Sequence, residues 1–97
     1  MAVVLVHQGA GITRESYEES VRKLTGGKSR METRSDWPVE GLLVHAAGEA
    51  PGGFRIVDVW ESEEAARQFG ESLMPVMQEL GITAEPEVYT THTFVSS

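Results

Sequence analysis

Short β-branched runs alternate along the chain with stretches in which apolar residues recur every three or four positions. Ala-Val-Val-Leu-Val-His, residues 2–7, is a continuous run too short for a helix and reads as a first strand covered on both faces. Gly9 and Gly11 break it. Thr13 then stands as an N-cap before 14–24, where Tyr17, Val21 and Leu24 fall at i, i+4 and i+7; this predicts an amphipathic helix ended by Gly26 and Gly27. Residues 25–40 are polar and basic, hold Trp37-Pro38 and show no clear period, apart from a single helical turn expected over 29–34. A loop this long in a small domain reads as a lid, a binding segment or a dimer arm. Two β-rich runs follow, 41–47 and 54–60, joined by Gly-Glu-Ala-Pro-Gly-Gly, which predicts an antiparallel hairpin. Ser62 caps a second helix with Glu63 and Glu64 in its first turn, and Ala66, Phe69, Leu73, Val76, Met77 and Leu80 form its buried stripe before Gly81. Pro75 lacks an amide donor and is expected to kink or interrupt that helix. Residues 88–95 close the chain as a fourth strand.

The resulting β-α-β-β-α-β order is that of an α+β, ferredoxin-like fold with a four-stranded antiparallel sheet. Two helices cover only one face of such a sheet. Val4, Val6, Ile56, Trp60 and Phe94 are expected on one common side, and that side needs a cover. A second copy of the sheet is the simplest candidate, so a homodimer is expected.

At 97 residues the chain is one domain spanning 1–97, a size at which only about two-thirds of the unfolded surface is buried and a partner would add to the core. Eight Lys and Arg against 15 Asp and Glu give a net charge of -7, which argues against nucleic acid and anionic membrane as partners. The chain has no cysteine, so disulfides, thiolate metal sites and thiol nucleophiles are out, and a cytoplasmic location is the expectation. The opening apolar run is six residues long and reads as a strand and not a signal peptide. No apolar run approaches the roughly 20 residues of a membrane helix, so a soluble protein is expected.

The segments Gly-Leu-Leu-Val-His at 41–45, Pro-Gly-Gly-Phe at 51–54, Arg-Ile-Val-Asp-Val-Trp-Glu-Ser at 55–62 and the helix from Phe69 through Pro75 to Gly81 resemble the dimeric α+β barrel superfamily, in particular the antibiotic biosynthesis monooxygenase (ABM)-like domains. The resemblance covers the order of elements over nearly the whole chain. It implies a homodimer whose sheets enclose a pocket. Relatives of this type include cofactor-independent monooxygenases, cyclases, isomerases, haem-degrading enzymes and members without known activity, and fold alone does not choose among them. The haem-degrading branch places a histidine on the second helix, and 62–80 holds none here, so no haem or other cofactor is expected.

If the hairpin loop has an even number of residues, His45 shares a face with Ile56, Asp58 and Trp60. A carboxylate beside an imidazole fixes its tautomer and suits a general base that takes a proton from a phenol or an activated carbon. His45 and Asp58 are therefore the candidate catalytic pair. Trp60, His92, Phe94, Trp37 and Ile56 are the candidate ligand-binding residues. The structural reading beside this gives Asp58 a salt bridge to Arg55 or Arg34, Trp60 a place in the core, and His92 a half-exposed strand position. His7, next to a glycine-rich turn, is expected to be exposed or capping. The three histidines lie on separate strands without metal-motif spacing, so no metal is expected. The substrate class this chemistry fits is a small hydrophobic or aromatic molecule; the alternative is a non-catalytic ligand-binding or assembly module.

Overall fold

The structure is a computed structural model that describes residues 1–95, in the order β1 (Val3–His7), α1 (Arg14–Thr25), a 3-10 turn (Arg34–Asp36), β2 (Leu42–Ala50), β3 (Gly53–Trp60), α2 (Glu63–Glu79) and β4 (Glu87–Thr90). The strands form one antiparallel sheet in the order β2-β3-β1-β4, the ferredoxin-like arrangement expected from the sequence. Among the described residues, no helix is long and apolar enough to cross a membrane.

The helices begin where side chains accept otherwise unpaired amides. Thr13 Oγ1 accepts from Ser16 N at 3.1 Å while Ser16 Oγ accepts from Thr13 N at 2.9 Å, and Ser62 Oγ accepts from Ala65 N at 3.1 Å. Pro75 does not interrupt α2; the helix runs on to Glu79 with the proline on its exposed side. Both hairpin strands are longer than expected, and the turn shrinks to Pro51-Gly52. Proline fixes one φ there and Gly52 supplies a φ of 91° that a side chain would strain. At the other end of β2, Gly41 sits at φ 109° against α2, where an added Cβ would meet the Ala65 Cβ at 2.8 Å.

The two-residue turn is even, and it sets His45 opposite Asp58, with a bulge between Leu42 and Val44 absorbed further along. The helix-facing core is Val3, Leu5, Leu42, Trp60, Ala65, Ala66 and Phe69, with Trp60 stacked on Phe69 at a centroid distance of 4.9 Å. The other face carries Ala2, Val4, Val6 and Val59, against which Leu43, Val57 and Phe94 pack. This corrects the expected grouping: Val3 pairs with Trp60 and His7 with Ile56, so Trp60 and Ile56 lie under the helices, opposite Val4, Val6 and Phe94. A strand that is apolar at every position, as β1 is before His7, carries no alternation by which its phase can be read.

The last strand is also shorter than expected. Val3 pairs with Thr90, and Thr91 donates both its amide and its hydroxyl to Ala2 O at 2.8 and 3.0 Å, where the β1 ladder ends. Beyond that point the chain leaves the sheet.

Candidate active site

Three side chains from three elements meet under the helices. Tyr17 heads the apolar stripe of α1, His45 lies midway along β2 and Asp58 faces it from β3. His45 Nδ1 is 2.5 Å from Asp58 Oδ1, and its Nε2 is 2.7 Å from Tyr17 Oη. A carboxylate offers only lone pairs, so Nδ1 carries the hydrogen and donates to Asp58, and Nε2 accepts from the Tyr17 hydroxyl. The hydrogen-bonded order is thus Tyr17 to His45 to Asp58.

Burial tunes this chain. Asp58 is 2% exposed and makes its side-chain hydrogen bond to His45, so neither Arg55 nor Arg34 is its partner. Burial, and after it the Asp58 charge, pushes the Tyr17 hydroxyl up to about 12, which keeps it a neutral donor at physiological pH. The Tyr17 ring also tilts onto Phe54 at 5.4 Å. Trp37 arrives from the 25–40 segment and sets its edge against the His45 ring at 4.7 Å. That segment is held in place by Asp36, which accepts from the amides of Glu32 and Thr33 and from Lys28 Nζ at 2.9 Å; the Glu32 amide first, then Lys28, hold its carboxyl down at about 2.

Two spaces adjoin the chain. An inner cavity of about 50 Å³ between helices and sheet is bordered by Tyr17, His45, Asp58, Trp37, Ile56 and His7, and it has room for only a few water-sized molecules. On the outer side, a groove of about 420 Å³ runs along α1 and β2 past Tyr17, His45, Phe54, Met31, Arg14 and Arg30. Tyr17 and His45 form part of the wall of both.

Of the residues singled out from sequence, His45, Asp58, Trp37 and Ile56 come together here. Trp60 does not line either space: it is fully buried in the core, with Nε1 unpartnered. His92 lies past the end of β4 and is exposed, and Phe94 packs on the far face of the sheet. Both depart from the expected site because β4 stops at Thr90. Two residues were missed. Tyr17 was legible only as the first member of a helical stripe. His7 is buried and not exposed: it shares a face with Val3 and Leu5 by simple alternation, a period-2 signal that the adjacent glycines obscured.

The sequence matches no protein-family model and no curated protein. Among solved structures the chain is similar to SnoaB, a cofactor-independent oxygenase from Streptomyces nogalater, in an asparagine-to-alanine mutant form (TM-score 0.58, 16% identity, 99% of this chain and 98% of that one). A second SnoaB structure gives a TM-score of 0.57 at 14% identity, with the same coverage. At this identity the likeness concerns architecture, and with the strand order above it leads to one conclusion: the chain has a ferredoxin-like α+β fold that it shares with SnoaB.

Proposed function

We propose that this protein binds a small hydrophobic or aromatic molecule and acts on it as a cofactor-independent monooxygenase, with His45 as the general base. The observation that carries the reading is the hydrogen-bonded order of half-buried Tyr17, half-buried His45 and buried Asp58 between an inner cavity and an outer groove. Both His45 nitrogens are occupied, so a ligand in the groove reaches the imidazole through Tyr17. As the ligand gives a phenolic or activated C–H proton to Tyr17 Oη, Tyr17 passes its own proton to His45 Nε2. The products are a ligand anion, a neutral tyrosine and an imidazolium that Asp58 orients and stabilises. The anion then gives an electron to dioxygen, the two radicals combine to a peroxide anion, the His45 imidazolium returns its proton through Tyr17 to give the hydroperoxide, and loss of water from it leaves a carbonyl. One oxygen atom stays in the product and the other departs as water.

The groove volume of about 420 Å³ falls within the range of small-molecule sites, and its wall includes the rings of Tyr17 and Phe54. The similarity in fold to a cofactor-independent oxygenase supports the reaction type. The apolar far face of the sheet, with Val44 and Tyr89 still partly exposed, supports a homodimer. A non-catalytic ligand-binding or assembly module is the rival, and the small inner cavity is the observation in its favour.

The test is oxygen uptake and product analysis over a panel of polycyclic phenols and ketones with acidic C–H bonds. Replacing the general base in His45→Ala is expected to cost about a hundredfold in kcat, with ligand binding retained. Turnover unchanged in His45→Ala would remove the residue from the mechanism and favour the rival.

A further inference from the structure

A second cleft, of about 450 Å³, opens between α2 and the β1–β4 side of the sheet, away from the Tyr17 groove. Its walls are apolar, built from Val3, Leu5, Phe69, Leu73 and Val88. The one histidine in it is His7, only 6% exposed. Among the described residues the His7 ring has no hydrogen-bond partner, yet the only sealed, unpartnered side-chain polar atom is Trp60 Nε1. The His7 nitrogens are therefore not sealed in the core, and the residue borders both the inner cavity and this cleft. A ligand hydroxyl that takes the place of solvent at these nitrogens keeps their hydrogen bonding while its apolar body is buried against the cleft wall.

The helix wall carries a second sign. Gly70 sits in the interior of α2, where glycine is the poorest ordinary helix former, and it borders the cleft. An added Cβ there would meet nothing within 4 Å, so neither a turn nor close packing requires the glycine. A side chain placed there would meet open space on the cleft wall.

The charges specify the ligand. Burial holds His7 below its ordinary value, with the Asp58 charge opposing only in part, so the ring is neutral at physiological pH. A neutral imidazole offers one donor and one acceptor, which a hydroxyl group matches with its own acceptor and donor. Arg67, the one cation on the cleft wall, is engaged with Glu64 and Glu71, and the Asp58 charge acts on His7, so an anion would find repulsion there and no free cation. We propose that the α2–β1–β4 cleft is a second small-molecule site, specific for a neutral apolar molecule bearing a hydroxyl group, with His7 as its polar anchor.

This site goes beyond the proposed reaction and does not depend on it. The experiment is calorimetric titration of the full chain with two probes, naphthol and naphthalene, in four proteins. The wild type should bind both, naphthol more tightly. His7→Leu should weaken naphthol by about five- to tenfold, the worth of one neutral hydrogen bond, and leave naphthalene unchanged. Gly70→Leu, which fills the cleft while improving helix propensity, should abolish the binding of both probes that persists when the Tyr17 groove is filled, without lowering the melting temperature. Ala47→Trp, which fills the Tyr17 groove, should retain the cleft's binding of both, which separates this cleft from that groove. Equal losses for the two probes in His7→Leu, persistence of the cleft's binding in Gly70→Leu, its loss in Ala47→Trp, or no binding to the wild type would each overturn the proposal.

Discussion

His45 has no free nitrogen, and the residues on either side of it carry consequences that can be measured. Tyr17 ionises at about 12 in the folded protein, above the ordinary value near 10 that it has when unfolded. Its contribution to stability is therefore fully present below about pH 10 and is lost as pH rises through the folded value. Alkaline unfolding should accordingly steepen between about pH 10 and 12 in the wild type, and Tyr17→Phe should flatten that limb; equal limbs would show that Tyr17 is not buried against the pair. Asp58→Asn keeps the shape but exchanges the charged acceptor for an amide, and thermal unfolding should report a loss of roughly 2 kcal/mol, in the range of a hydrogen bond to a charged group. At this scale the pairing of His45 with Asp58 was legible, because an even hairpin turn fixes which side chains face one another. Tyr17 was not, since nothing local in α1 says which strand its first turns will cover.

Two glycines, Gly41 packed against α2 and Gly70 within α2 facing open space, should respond in opposite directions to the same substitution. Gly41→Ala forces a Cβ into φ 109° and to within 2.8 Å of Ala65, where β2 begins under α2, so a loss of about 1–3 kcal/mol is expected by denaturant titration. Gly70→Ala adds a Cβ to a helix interior with open space around it and should stabilise by up to about 1 kcal/mol. Matching signs would contradict the local geometry at one of the two. The element order, both helices and the hairpin were legible from hydrophobic period and turn residues. The extent of β4 was not: its residues favour strand as far as Val95, but pairing stops where β1 stops offering a ladder, and that depends on a partner 89 positions away. The same limit applies to the phase of β1, whose uniform apolar run left Val4 and Val6 on the wrong side of the expected sheet.

Across the whole molecule, the helices cover one face of the sheet except at the cleft beside β4, and Phe94 with Leu43 and Val57 pack on the other without closing it at Val44, which is 39% exposed. The homodimer reading predicts that light scattering over a dilution series gives twice the 10.6 kDa chain mass; a mass of one chain throughout would leave Phe94 and its neighbours as the full cover of that face. Dimer or not, the account turns on whether a ligand proton can reach His45 through Tyr17. A nitrophenol whose ionised form is coloured reads this directly when titrated with pH in the bound state. The relay predicts that the coloured band appears at lower pH on the wild-type protein than in free solution, and that His45→Ala abolishes the shift. A bound probe that ionises at the same pH on both proteins would contradict the assignment of His45 as the base.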